Sequence, residues 1–431
     1  MDQQVIIAVT IFLIAYALII SEKIHRTIVA LAGAMLMIFF GILDQESAIH
    51  HVDFNTLGLL VGMMIIVGIT SRTGLFNYLA VWCAKKVEAD PVKLLVALSL
   101  LTAVCSAFLD NVTTVLLTVP ITISITKKLK VPIMPYLLAQ IIASNIGGTA
   151  TLIGDPPNIM IGSAVKELTF IAFIENLALI SILILIATIA IFVLIYRKKL
   201  VTTDALRQEI MAIKEKEEIK DSKLLKICLG VLAITISLFF LHQALHLESA
   251  TVALFGASLL MVIAKNYIEH HMEEVFEKVE WTAIFFFVGL FIIVGGLIDT
   301  GVISFLAKKA MEITAGEMVM TSMMILWLSA IASAFVDNIP FVATMIPLIK
   351  EMGMMGIENL EPLWWSLALG ACLGGNGTLI GASANIIVAG LAAREGNPIS
   401  FIEYFKVGFP LMILSIIMSS VYIYFRYLLN Y

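Results

Sequence analysis

Charge is scarce in this chain: 14% of its 431 residues are Asp, Glu, Lys or Arg, against 60% that are apolar, and the mean hydropathy is +1.02. Soluble domains carry about 25% charged residues, so that class is excluded, and no nucleic-acid partner is expected. The net charge of -5 decides little, because the placement of Lys and Arg among loops matters more than their total. Cysteine is nearly absent too. Cys83, Cys105, Cys228 and Cys372 show no CxxC spacing, so neither a disulfide framework nor a zinc site is implied. The alternating ten-residue pattern of outer-membrane strands is missing as well, whereas the apolar runs have the length of helices, about 20 residues per crossing. The opening MDQQ has no basic residue and no small-residue cleavage site follows, so residues 5–20 are expected to be a retained first helix rather than a signal peptide.

What is present is a polytopic all-α membrane protein organised around two stretches. These are AFLDNVTTVLLTVP at 107–120 and AFVDNIPFVATMIP at 334–347. Each sets an acid and an amide, Asp110 with Asn111 and Asp337 with Asn338, inside an apolar run. An ionised carboxylate near the bilayer centre costs roughly 2.5 to 3.5 kcal/mol, so such acids face a cavity, pair, or titrate. No Arg or Lys lies near either aspartate in the sequence.

One offset, 227, aligns the halves without a gap where the likeness is strong. It pairs Asp110 with Asp337, Gly62 with Gly289, Gly74 with Gly301, Thr151 with Thr378 and Asn158 with Asn385. The chain is therefore a duplication, 1–196 and 227–431, joined by the polar segment 197–226, which reads as a cytoplasmic linker with an amphipathic helical part.

Orientation follows from the basic residues. Lys23, His25 and Arg26, then Arg72, Lys85, Lys86 and Lys93, mark cytoplasmic junctions, while DQESAIHHVD at 44–53 has no Lys or Arg; the N-terminus is expected outside. The stretch 94–126 is bounded by Lys93 and Lys127, so it is expected to be a re-entrant helical hairpin from the cytoplasm with its DN pair at the tip. Residues 133–165 then cross, broken by SNIGGTATLIGDPPN. In the second half the hairpin is 317–350, entering from outside, and the broken helix is 361–393, interrupted by GGNGTLIGASAN. A last helix near 407–428 leaves the C-terminus outside. Lys308 and Lys309 would also fall outside, a mismatch that an interfacial helix accounts for. Five crossings separate equivalent helices, which inverts the second copy, and inverted repeats around broken helices are the usual plan of secondary transporters.

The candidate site gathers the two tips, Asp110, Asn111, Thr113 and Thr114 with Asp337 and Asn338, and the two loops. The loops supply Asn145, Gly147, Gly148, Thr149, Thr151, Asp155 and Asn158 from the first half, and Gly374, Gly375, Asn376, Thr378, Ser383 and Asn385 from the second. Non-helical backbone at membrane depth is tolerated where it lines a cavity or is buried in protein, so the loops offer carbonyls for a cation, and the half-helices near Asn158 and Asn385 offer positive ends. Against this stand two plainer alternatives. Glycine pairs also serve helix packing, and the two aspartates could be held by their neighbouring asparagines to pin the tips. Asp155 breaks the symmetry, facing Ala382, as Thr149 faces Asn376 and Pro156 faces Ser383. Three carboxylates on one cavity repel a bare anion, so cations or protons are expected there. Sodium at Asp110, Asn111, Asp337 and Asn338 is one expectation; proton binding is the other. His50, His51, His242, His246, His270 and His271 fall in expected loops at both faces and read as solvated or interfacial.

FLDNVTTVLLTVP, SNIGGTATLIGDPPN, FVDNIPFVATMIP and GACLGGNGTLIGASAN resemble signature segments of the ion transporter superfamily, in the branch of arsenite permeases and the melanosomal P protein. NhaD-type sodium/proton antiporters are similar at the DN pair and the glycine loop. The resemblance implies an elevator-type carrier, usually a homodimer in the plasma membrane, moving a small anion or metalloid coupled to protons or sodium, with no cofactor. Where related dicarboxylate carriers have Ser-Asn-Thr at the hairpin tips, this chain has Asp110, Asn111, Val112 and Asp337, Asn338, Ile339. That departure argues against simple dicarboxylate binding. Sodium/proton antiport is the main alternative; an intramembrane aspartyl protease, in which two acids share a proton, is the remote one.

Overall fold

The computed structural model describes residues 3–21, 23–268 and 272–429, and these are helical with no strand. The first half contributes α1 (Gln3–Ser21), α2 (Arg26–Phe39), α3 (Phe54–Ser71), α4 (Leu75–Lys86), α5 (Pro91–Phe108), α6 (Asn111–Leu129), α7 (Met134–Thr149), α8 (Pro156–Ala164) and α9 (Leu179–Tyr196). The second contributes α10 (Ser222–Leu241), α11 (Ser249–Ile263), α12 (Trp281–Asp299), α13 (Val302–Thr314), α14 (Met318–Phe335), α15 (Asn338–Met354), α16 (Glu361–Gly374), α17 (Ser383–Arg394) and α18 (Phe401–Ile423). Among the described residues, nine helices are long and apolar enough to cross a membrane. Exposed apolar side chains such as Leu13, Ile14, Ile28, Ile182 and Ile186 suit a lipid-facing belt.

From α3 to α8 the paired helices keep the 227 spacing at their starts. Phe54 matches Trp281, Leu75 Val302, Pro91 Met318, Asn111 Asn338, Met134 Glu361, and Pro156 Ser383. Before α3 the register changes: α2 and α11 start at Arg26 and Ser249, 223 residues apart. The local sequence dictates these boundaries. Asp53, Asp90, Asp110 and Asp337 each cap a helix by accepting from backbone N–H groups of its first turn. Gly74 and Gly301 sit at φ +82° and +75° between α3 and α4 and between α12 and α13, a left-handed turn that favours glycine.

The expected hairpins are α5 with α6 and α14 with α15, turning at Leu109–Asp110 and Val336–Asp337. Each limb has 17 to 19 residues. At 1.5 Å per residue that is about 27 Å, close to the whole hydrocarbon thickness. The expected breaks lie at 150–155 and 375–382. The amphipathic helix expected around Lys308 and Lys309 is α13, with both lysines exposed.

Small residues let helices approach closely, within and between halves. A Cβ on Gly147 of α7 would lie 2.2 Å from the Ala103 carbonyl of α5, and one on Gly374 of α16 would lie 2.6 Å from that of Ala330 in α14. Across the halves, Gly62 of α3 meets Ala253 of α11, and Gly289 of α12 meets Ala30 of α2. Segment 197–226 holds the expected helical part, Asp204–Met211, and is tied down rather than loose. Lys220 N–H donates to Thr73 O at 2.9 Å, Thr202 Oγ1 to Leu129 O at 2.6 Å, and Lys85 pairs with Glu215 at 2.6 Å. His242 is buried rather than solvated, and His51 contacts Asp299 at 3.0 Å. His270 and His271 lie outside the described residues.

Candidate functional site

Each hairpin acid is placed by its own helix. Asp110 accepts from the N–H of Thr113 at 2.8 Å and from its hydroxyl at 2.5 Å, which fixes the carboxylate on the positive end of α6. Asp337 accepts from Ile339 N–H at 3.1 Å at the start of α15. The neighbouring asparagines hold neither aspartate. They reach across the molecule instead, and both reach the same atom.

That atom belongs to Asp155. Asn111 Nδ2 lies 3.4 Å from Asp155 Oδ1, and Asn338 Nδ2 lies 3.4 Å from it as well, so the two tips converge on the one acid that breaks the sequence symmetry. Asp155 is 1% exposed, and among the described residues its second oxygen, Oδ2, accepts no N–H or O–H, with only the weakly donating thiol of Cys372 against the carboxyl. A buried carboxylate oxygen left open costs several kcal/mol unless a proton or cation occupies it. Asn111 Nδ2 also donates to Asn145 Oδ1 at 3.1 Å.

Asn145 and Asn158 lock the halves together. Asn145 Nδ2 donates to Asn376 Oδ1 at 2.9 Å and to Asn385 Oδ1 at 3.0 Å. At the positions 227 away, Cys372 Sγ contacts Asn158 Oδ1 at 3.4 Å, so the same cross-contact is made with a weaker donor. Asn158 Nδ2 donates to the carbonyls of Thr149 and Thr151 at 3.1 and 2.9 Å, and Asn385 Nδ2 to those of Gly375 and Thr378 at 2.8 and 2.9 Å. Thr151 and Thr378 hydroxyls donate to Ala107 O and Ala334 O. The loop carbonyls expected to face a cation are thus largely engaged in holding the loops, and Asn158 and Asn385 serve as their pins. Replacing Asn145 by Ala strands two buried amide oxygens, those of Asn376 and Asn385, each worth about 1 to 3 kcal/mol when deserted. Asn145→Ala is expected to lower the thermal unfolding midpoint of the purified protein well below that of Cys372→Ala, and equal midpoints would contradict this role.

Asp110, Asn111, Asp155, Asn338 and Ser383 line one small cavity of about 30 Å3, which has room for a dehydrated ion or a water. Thr113 supports Asp110, Thr149 back-bonds to Asn145 O, and Gly147, Gly148, Gly374 and Gly375 lie in close contact with neighbouring backbone or side-chain atoms. Thr114 Oγ1 and Asn376 Nδ2 are buried without partners.

Two charged lining residues were missed from the sequence. Glu280, which precedes α12, stands at the position matching Asp53 under the 227 offset, and that pair of acids before matched helices was the available signal. Arg26, the first residue of α2, is the basic partner that neither aspartate has nearby in sequence. Its Nη1 lies 2.5 Å from Asp337 Oδ2 and 2.8 Å from Ser383 Oγ, across 311 and 357 residues. Asp337 is therefore ion-paired, whereas Asp110 receives its bonds from Thr113.

Comparison with known proteins agrees with this architecture. The family described as "Citrate transporter" matches residues 16–370. An uncharacterised transporter of Mycobacterium tuberculosis strain H37Rv is 41% identical over 98% of both chains, and the "46 kDa membrane protein" of Mycobacterium leprae is 38% identical over 98% of this chain and 99% of its own. The human P protein is 34% identical over 98% of this chain and 60% of its own length. Among solved structures, the YdaH transporter of Alcanivorax borkumensis has the same fold at a TM-score of 0.59, with 14% identity and 98% coverage of each chain. The resemblance carried by the DN tips and glycine loops is thus borne out: this chain belongs to the citrate transporter family of membrane transporters.

Proposed function

We propose that the chain is a secondary active carrier that moves a small anion or metalloid coupled to protons or sodium, with Asp155 and Asp110 as the coupling acids. One observation carries this: Asp155 Oδ2, which accepts no N–H or O–H among the described residues, is buried where both hairpin tips meet. A bare carboxylate there is tolerable only with a proton or cation on it, so occupancy and the position of the tips are linked. The sequence alone gives Asp337 the same part as Asp110, as one of two coupling acids; its pairing with Arg26 favours Asp155 in its place. The elevator motion, the inverted orientation of the halves, the homodimer and the plasma-membrane location with both termini outside belong to the same proposal.

Sodium/proton antiport is the second reading, favoured by three acids, Asp110, Asp155 and Glu280, on one small cavity. Solid-supported-membrane electrophysiology on purified protein decides between them. A proton or sodium gradient is expected to give charge movement only when a substrate from an arsenite, phosphate or carboxylate panel is present. Proton movement on a sodium jump with no anion would favour antiport instead. Cleavage of a transmembrane peptide without gradient-driven flux would overturn both.

A further inference from the structure

The Arg26–Asp337 pair stands at the boundary of the small ion cavity and a second, larger cavity. The latter has a volume of about 300 Å3, at the lower end of the range for small-molecule sites. Its walls are mostly apolar, with Ile19, Ile24, Ile380 and Ile387 among them; its polar lining residues are His25, Arg26, Glu280, Asp337 and Ser383, of which Arg26, Asp337 and Ser383 touch one another and mark its polar end. Arg26 lines both cavities. Its side chain is 27% exposed and that of Asp337 9%. The guanidinium lies over the Phe286 ring at 4.9 Å, a cation–π contact that helps hold it in place.

Three features at that end select a carboxylate. A guanidinium presents a fork of donors matched to carboxylate oxygens. Ser383 Oγ donates to the same Asp337 oxygen at 2.9 Å. Ser383 is also the first residue of α17, whose N-cap, Ala382, makes no side-chain cap, so the positive end of that helix is open to an anion. The group now filling this cradle is a carboxylate of the protein itself, delivered by a hairpin tip.

We infer that Arg26, with Ser383, is the headgroup site for an organic monocarboxylate substrate, and that Asp337 is an internal competitor that holds the site when the substrate is absent. This rests on the carrier function proposed above and names its substrate class. The apolar walls take the hydrocarbon part of the acid. Glu280, beside the headgroup end, disfavours anions of higher charge. When substrate takes Arg26, Asp337 is released with its hairpin, so binding at the headgroup is felt at the tip, where Asn338 touches Asp155. A single ion pair thus couples the cargo to the ion site.

Equilibrium binding on detergent-purified protein tests this without any gradient, so a failed coupling assay and a failed binding assay are separate results. Hexanoate is the probe and inorganic phosphate the comparison. Asp337→Asn removes the competitor and is expected to tighten hexanoate binding at least tenfold over the unmodified protein. In the Asp337→Asn background, Arg26→Gln is expected to weaken it at least tenfold. That double variant is neutral at both positions and leaves no unpaired charge, so it is the one expected to fold. Arg26→Lys in the same background should retain part of the affinity. The inference is overturned if Asp337→Asn binds hexanoate no better than the unmodified protein. Equal binding with and without Arg26, or phosphate binding as tightly as hexanoate to Asp337→Asn, would overturn it equally.

Discussion

Asp155→Asn is expected to abolish coupled flux, by at least a hundredfold in proteoliposomes, while the purified protein keeps its elution profile and melting point. The asymmetry between those two readouts comes from the two oxygens of one carboxyl. Oδ1 accepts from Asn111 and Asn338, and an amide oxygen accepts equally well. Among the described residues Oδ2 accepts no N–H or O–H, and only the weakly donating Cys372 thiol stands against the carboxyl, so the substitution breaks no strong contact and removes a buried charge. Stability is therefore kept or raised. What disappears is the one group that can take a proton or a cation at the point where both tips meet. Asp110→Asn is the instructive companion, because Asn caps a helix about as well as Asp and the α6 start should survive. If Asp155→Asn carries substrate uphill as the unmodified protein does, Asp155 is not a coupling acid and the role passes to Asp110 alone.

The second large effect is structural. Gly147→Ala is expected to prevent recovery of folded protein, while Gly390→Ala, the same chemical change, leaves yield and melting point as they were or slightly improved. At Gly147 the added methyl would lie 2.2 Å from Ala103 O and 2.6 Å from Ala103 Cα. Both are backbone atoms of α5, so no rotamer change relieves the clash and the hairpin limb itself must shift. Overpacking ordinarily costs about 1 to 3 kcal/mol and exceeds that where the neighbour cannot yield. A displaced α5 also carries Asp110 away from the cavity. Gly390 has nothing within 4 Å, and Ala is favoured over Gly in a helix by up to about 1 kcal/mol. Comparing membrane yield and thermal unfolding of the two variants checks this, and a well-folded Gly147→Ala protein would remove the close approach of α5 and α7.

Much of this was legible in the sequence because it depends on local chemistry. The hairpin turns, the two broken helices and the register of α3 to α8 against α12 to α17 follow from DN pairs, glycine runs and one offset. The register fails for α1 and α2 because the segments before α3 and α12 differ in length, which no motif reports. The choice between ion ligand and pin was also hidden. Asn111, Asn145 and Asn158 look alike in the sequence, and only their distances separate the residue at the acid from those that hold the loops. Arg26 was the largest omission. It reads as an ordinary basic junction residue, and what makes it special is Asp337, 311 positions away.

The cross-packing of α3 on α11 and of α2 on α12 has a consequence for biogenesis. Gly58 and Gly62 are shaped for Ala250 and Ala253, which are translated about 190 residues later. At roughly 5 to 20 residues per second, α3 waits on the order of ten to forty seconds for its neighbour. During that interval its small-residue stripe is open to lipid or to any other helix the insertion machinery is releasing. The first half is therefore an obligate client until the second arrives, and the halves made as separate polypeptides should be recovered only when they are produced together.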